Sequence, residues 1–145
     1  YHGYLAEVLS SFGVGGIVER FEREKAKSYL KEKNVVIFAG GTGNPLVSTD
    51  SAASLKSIEI EADILLKATN VDGIYDSDPK INSDAKLLKK VSFDEVLDKK
   101  LKIMDYSAFE QCRSYSMKIR IFNINKPGIL QRVVTQEDEG SLITV

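Results

Sequence analysis

Val35-Val36-Ile37-Phe38-Ala39-Gly40-Gly41-Thr42-Gly43-Asn44-Pro45, followed at once by Ser48-Thr49-Asp50-Ser51-Ala52-Ala53, decides how the chain is read. An apolar run too short for a helix breaks into a glycine-rich turn, and a Thr/Asp pair with N-cap chemistry then opens a helix. Strand, glycine turn and helix in that order make the layout of an anion site. Glycines let a ligand approach the backbone closely, and the first N–H groups of the helix point outward with the positive end of its dipole behind them. The loop is not a Walker loop, because Gly43 leads into Asn44-Pro45 with no Gly-Lys-Ser/Thr. It also fails the dinucleotide fingerprint, since Leu46 stands where the third glycine belongs. On spacing alone, a phosphate or nucleotide site and an ordinary strand-to-helix turn both remain open.

Outward from this stretch the elements alternate. Leu5 to Phe12 reads as a helix and Gly13-Val14-Gly15-Gly16 as a turn. Arg23 to Lys33 reads as a charged, exposed helix and Val35 to Ala39 as a buried strand. Asp50 to Glu61 follows as a helix with Leu55, Ile58 and Ala62 on one side, then Ile64 to Leu66 as a second strand. Ser92-Phe93-Asp94-Glu95 has capping-box spacing, so a short helix runs from there to about Lys99. Another helix spans Tyr106 to Ser116, a third strand Ile119 to Asn123, a short helix Gly128 to Val134, and a final edge strand Leu142 to Val145. Strands separated by helices imply an α/β fold, a mainly parallel sheet with helices on both faces in three layers.

Composition narrows the class. At 145 residues and 43% hydrophobic content, the chain suits one domain with a core and is short for two. A net charge of −1 gives no general attraction for nucleic acid or an anionic membrane, so neither is expected as a partner. The single cysteine, Cys112, cannot form an internal disulfide, which fits a reducing compartment; in mid-helix it reads as a buried small hydrophobe. No apolar run approaches the roughly 20 residues that span a bilayer and no signal-peptide pattern opens the chain, which therefore reads as soluble. The start, Tyr1-His2-Gly3-Tyr4, lacks Met and reads as the end of a fragment, with His2 in it.

In sheets of this kind ligands collect beyond the carboxyl ends of the strands. Three loops there are expected to share one rim: Gly40 to Asn44, Lys67 to Pro79, and Asn123 to Gly128. The second loop is rich in carboxylates but is not an EF-hand, because Asp76 and Asp78 follow Gly73 instead of preceding it. A nucleotide with its magnesium, Tyr75 packing on the base, and a solvated turn closed by Asp and Pro are both compatible with it. Lys67 reads either as a phosphate contact or as a solvated charge, and Lys126-Pro127-Gly128 as the rigid entrance to a helix.

Several segments together carry a more specific likeness. They are Gly41-Thr42-Gly43-Asn44-Pro45 with Thr49-Asp50-Ser51-Ala52-Ala53, Glu59-Ile60-Glu61-Ala62-Asp63, Lys67-Ala68-Thr69-x-Val71-Asp72-Gly73, Met104-Asp105, and Phe122-Asn123-x-Asn125-Lys126-Pro127-Gly128. In this order and spacing the chain from Val35 onward resembles the bacterial-type UMP kinases of the amino acid kinase family; before Val35 the likeness is weak. The resemblance implies part of an amino acid kinase (carbamate kinase-like) fold and transfer of the γ-phosphoryl group of ATP to UMP, with Mg2+ accompanying ATP. It implies that Thr42, Gly43, Asn44, Pro45, Leu46, Val47, Ser48 and Thr49 hold UMP, and that Thr69, Tyr75 and Asp78 contribute to the ATP site. It places Asp105 near the reacting phosphates and matches Asp50 to an aspartate that organises the site in related kinases. Read from the sequence alone, Asp50 serves equally as a plain N-cap.

The same resemblance implies a homohexamer activated by GTP and inhibited by UTP, in a bacterial cytoplasm or a plastid-type organelle. Family members also have an N-terminal portion that supplies a lysine, a second glycine-rich loop, and an arginine and aspartate for UMP. None of these stands in this sequence, so this chain by itself is expected to be inactive or nearly so. Two other readings stay open: a nucleotide- or oxyanion-binding storage role like that of the molybdenum storage protein on this fold, and an amino acid kinase acting on a carboxylate.

Overall fold

The computed structural model describes residues 3, 5–101, 103–135 and 138–145; His2 falls outside them. The chain divides into two compact units. The first runs to Ala62 and takes in Asp105–Gln111; the second comprises Asp63–Met104 and Cys112–Val145.

The first unit is built on a three-stranded sheet of order β2-β1-β3, from β1 (Ala6–Ser10), β2 (Glu19–Arg20) and β3 (Val35–Ala39). Both pairings are parallel, and β1 lies in register with β3 from Ala6↔Val35 to Ser10↔Ala39. Helix α1 (Arg23–Lys31) makes the crossover and packs against β3. The segment expected as a helix from Leu5 to Phe12 is therefore the strand β1. Leu5, Val8 and Phe12 have helical spacing, yet five rungs of pairing with β3 outweigh that local signal. Strand β3 is also not buried throughout. Val8, Val35 and Ile37, which the parallel register sets on one face, are each about half exposed, while Phe38 on the opposite face meets Phe21 edge to face at 5.5 Å.

Helix α2 (Thr49–Glu59) begins two residues after Val47, with Ser48 as its N-cap accepting from the Ser51 N–H at 3.0 Å. The cap is thus Ser48, and Thr49 and Asp50 are its first helical residues. Its buried face is also not the expected one. Ser51, Ala52, Ser54 and Ser57 are buried, whereas Leu55 is substantially exposed. Serines tolerate this burial because their hydroxyls find acceptors nearby, Ser57 donating to the Ala53 carbonyl at 2.8 Å.

The second unit carries a four-stranded sheet of order β4-β8-β9-β7, from β4 (Leu65–Thr69), β7 (Lys90–Ser92), β8 (Ile119–Asn123) and β9 (Ser141–Thr144). Pairs β4–β8 and β7–β9 are parallel and β8–β9 is antiparallel. Between β4 and β7 stand the short strands β5 (Ile74–Tyr75) and β6 (Leu87–Leu88), paired antiparallel with each other. Strand β9 lies between two neighbours, so the last strand is interior and not an edge. Its entry at Gly140 is tight: φ is +70°, and a Cβ there would lie 2.0 Å from the Ile121 carbonyl oxygen. Helix α3 (Phe93–Asp98) has the full capping box of Ser92 and Glu95. Helix α4 (Tyr106–Ser114) comes before β8, and α5 (Ile129–Thr135) after it; Ile129 and Val133 of α5 bury against Phe122 and Leu66.

Helices α1 to α4 end on residues with positive φ that are not glycine: Lys33, Glu61, Lys100 and Ser116. The next residue in each case, Asn34, Ala62, Leu101 and Met117, donates its N–H back to Tyr29, Ser57, Val96 and Cys112 respectively, the 6→1 bond of a Schellman ending. No helix among the described residues is long and apolar enough to cross a membrane.

Candidate functional site

In the first unit, the chain leaving β3 folds into a loop held by its own polar groups. Gly43 N–H donates to the Gly40 carbonyl at 2.9 Å, Asn44 N–H to Thr42 Oγ1 at 3.2 Å, and Leu46 N–H to Asn44 Oδ1 at 3.0 Å. The last is an Asx turn, which fixes the chain through Pro45 without any strand or helix. Gly43 has φ +81° and its Cα approaches Phe12 so closely that a Cβ would lie 3.2 Å from the ring. Leu46 projects outward at 93% exposure, and Val47, Ser48 and Thr49 are exposed as well.

The loop's far end is fastened to Asp105. Ser48 Oγ donates to Asp105 Oδ2 while accepting from Ser51 N–H. Asp105 Oδ1 accepts from the Ala108 N–H at 2.9 Å and from Ser107 Oγ at 2.7 Å, with Ser51 Oγ 3.3 Å away. One carboxylate therefore stands at the N-terminal ends of both α2 and α4, capping α4 itself. Burial pushes its pKa up, but the bonds from Ser48, Ala108, Ser107 and Ser51 outweigh that and hold the carboxyl down at about 2. Asp50, second in α2, is half-buried.

In the second unit, a cavity of about 350 Å³ opens beside the end of β4 and the β5 strand. Thr69, Tyr75 and Asp78 all line it, together with Lys100, Leu101 and Ile103. Its size is within the range of small-molecule sites. Thr69 ends β4 with its hydroxyl 2.9 Å from the Val71 carbonyl, and the turn after it places Gly73 and Ile74. Asp78 Oδ1 accepts from the Lys80 N–H at 2.9 Å, a local turn that leaves its carboxylate on the exposed rim.

The loops after β4 and β8 are tied together. Asn123 Nδ2 donates to Asp72 Oδ1 at 3.0 Å, Lys126 Nζ sits 2.7 Å from Asp72 Oδ2, and Asn125 Nδ2 donates to Asn70 at 3.3 Å. The Lys126 ammonium, then the Asn123 amide, hold the Asp72 carboxyl below the usual carboxylate range. The loop after β3 belongs to the other sheet. Cys112 is fully buried, and burial pushes its thiol up to about 11, leaving it a small hydrophobe.

Residues 2–123 match the model of the amino acid kinase family. The chain belongs to this family. Among proteins similar to it, a uridylate kinase of Coxiella burnetii is 55% identical over 136 residues, covering 94% of this chain and 56% of that protein. A uridylate kinase of Haemophilus influenzae is 54% identical, covering 95% of this chain and 58% of that one. The crystal structure of a UMP kinase from Bacillus anthracis superposes with a TM-score of 0.92 at 33% identity, covering 97% of this chain and 58% of that chain. The chain thus spans little more than half the length of the relatives it matches.

Against this amino acid kinase background, sequence reasoning missed the partners of Asp105. Of the serines spaced every three residues at positions 48, 51, 54 and 57, only Ser48 and Ser51 reach it. It missed Lys100, Leu101 and Ile103 as cavity walls, because they follow α3 and reach the cavity only through tertiary folding. It also passed over the Asp72–Lys126 pair, which no local spacing announces.

Proposed function

We propose that the protein from which this chain comes transfers the γ-phosphoryl group of ATP to UMP, giving UDP and ADP. The observation that carries this is that Thr69, Tyr75 and Asp78, the three positions the resemblance assigns to the ATP site, line one cavity of about 350 Å³. That the similar proteins are named uridylate kinase and UMP kinase supports it. In this reading the cavity takes ATP, with Tyr75 packing against the base, and the Thr42–Thr49 loop takes UMP.

The reaction breaks the bond between the γ-phosphorus and the bridging oxygen of ADP and forms one to a phosphate oxygen of UMP. UMP's own phosphate is the nucleophile, so the protein supplies orientation and charge compensation and no covalent intermediate. The N–H groups at the start of α2 suit phosphate oxygens for the electrostatic reasons given above. Magnesium enters as Mg-ATP. Among the described residues no group of three or more His, Cys, Asp or Glu gathers into a cage; the exposed Asp78 carboxylate would be the residue to hold the cation, which would supply charge compensation at the phosphates. A cytoplasmic homohexamer responsive to GTP and UTP belongs to the same proposal through the family resemblance.

The test is UDP formation from UMP and Mg-ATP, read by phosphorus NMR, for the 145-residue chain and for the complete gene product. UDP from the complete product and little or none from the chain is the expected pair of results. Silence from both, together with stoichiometric retention of molybdate or tungstate, would replace the kinase reading with storage. Phosphorylation of an acidic amino acid in place of UMP would move the substrate.

A further inference from the structure

We propose that Asp105 is a positioning residue that holds the 42–49 loop in its working shape through Ser48. The proposal rests on reading that loop as the UMP site. A carboxylate offers about four acceptor directions. At Asp105 three donors gather on Oδ1, the Ala108 N–H and Ser107 with Ser51 beside them, and Ser48 is on Oδ2, so three of the four directions are taken by the protein itself.

Ser48 shows what the arrangement is for. Its hydroxyl has one proton and is already committed as acceptor to the Ser51 N–H at 3.0 Å. The proton must therefore point at an acceptor on the other side, and Asp105 is there. At the opposite end of the loop, Asn44 accepts the Leu46 N–H on its side chain and the Val47 N–H on its carbonyl at 3.2 Å. The backbone from Asn44 to Ser48 is thus pinned at both ends, with Leu46 at its outer point. Of the two anchors, the Asn44 turn is local, whereas the Ser48 anchor depends on a residue 57 positions away. Loss of Asp105 leaves α2 with its cap but frees the loop to swing about it.

The experiment uses the complete gene product with Asp105→Asn, Asp105→Ala, Ser48→Ala and the Asp105→Ala/Ser48→Ala pair. Asp105→Ala and Ser48→Ala are expected to raise KM for UMP about tenfold, the scale of one lost hydrogen bond to a charged group, with kcat changed by no more than about threefold. The double variant should cost less than the sum of the two single ones, because both remove the same link, while Ser48→Ala also removes the cap of α2. KM for ATP and the magnesium dependence should stay unchanged, and Asp105→Asn, which keeps an acceptor oxygen, should be the mildest. A fall in kcat of about a hundredfold or more in Asp105→Asn, or a shifted magnesium dependence, would overturn the proposal in favour of direct chemistry. Ser48→Ala leaves the carboxylate in place and guards against a folding defect in the Asp105 variants. Amide hydrogen exchange of residues 46–52 without ligand gives a second readout. Faster exchange in Asp105→Ala supports the anchor even if the unsubstituted protein makes no UDP, a result that would sink the functional reading alone; unchanged exchange overturns the anchor.

Discussion

The two sheets differ in how far each buries itself. In the second unit β8 is buried at Ile119, Arg120, Ile121 and Phe122, with a strand on either side and α5 packed on it. In the first unit the parallel pair β1–β3 has Leu9 buried, yet Val8, Val35 and Ile37 stand in solvent. Parallel sheets are ordinarily covered on both faces. The apolar run Val35–Ala39 therefore looks alike in sequence to a buried strand while resting on one face only, and its side chains do not contribute equally to stability.

Phe122→Ala breaks this comparison most directly. It removes a ring 2% exposed from the cluster with Ile129 and Val133, and should cost about 3–5 kcal/mol in urea unfolding. Ile37→Ala, at a side chain 49% exposed, should cost less than about 1 kcal/mol; equal costs would show that the open face of β3 is covered in solution. Next comes Gly140→Ala, which sets a Cβ against the Ile121 carbonyl at positive φ. It should destabilise by about 2–4 kcal/mol, read from the same unfolding curve.

The polar contribution of the first unit is smaller and depends on pH. The folded-state pKa of Asp105, about 2, lies below its ordinary value of 3.8. Its contribution is therefore present in full above about pH 4 and is lost as pH falls through about 2. The gap in unfolding free energy between the unsubstituted protein and Asp105→Asn should be on the order of 1–2 kcal/mol at pH 6 and close most of the way by pH 2. A gap that does not change with pH would mean that the carboxylate's charge is not what the four donors recognise. The smallest effect is at the helix ends. Glycine in place of Lys33 in the first unit or Ser116 in the second relieves a left-handed residue, and should stabilise each by about 0.5–1 kcal/mol, a rise of a few degrees in Tm.

Much of the fold was legible wherever local chemistry and tertiary structure agree. Strands Val35–Ala39 and Ile119–Asn123 end where glycine or asparagine interrupts an apolar run, and the Ser92–Glu95 box is satisfied within four residues. What failed to show was decided at a distance. Strand β1 is fixed by pairing with β3, and β9 is interior because β7 and β8 both reach it. The helix ends carry lysine, glutamate and serine where glycine would have announced them. In the candidate site, Thr69, Tyr75 and Asp78 were named through the family resemblance and line one cavity, while Asp105's neighbours had to be seen in space.

The thread from Ser48 to Asp105 also has a place in time. A ribosome that has just added Ser48 must still translate 57 residues to reach the aspartate, about 3–11 seconds at ordinary elongation rates. During that interval the nascent loop has its own Asx turn and nothing to fasten its other end. The glycine loop is thus among the last parts of the first unit to settle, after an intervening stretch of the second unit has been made.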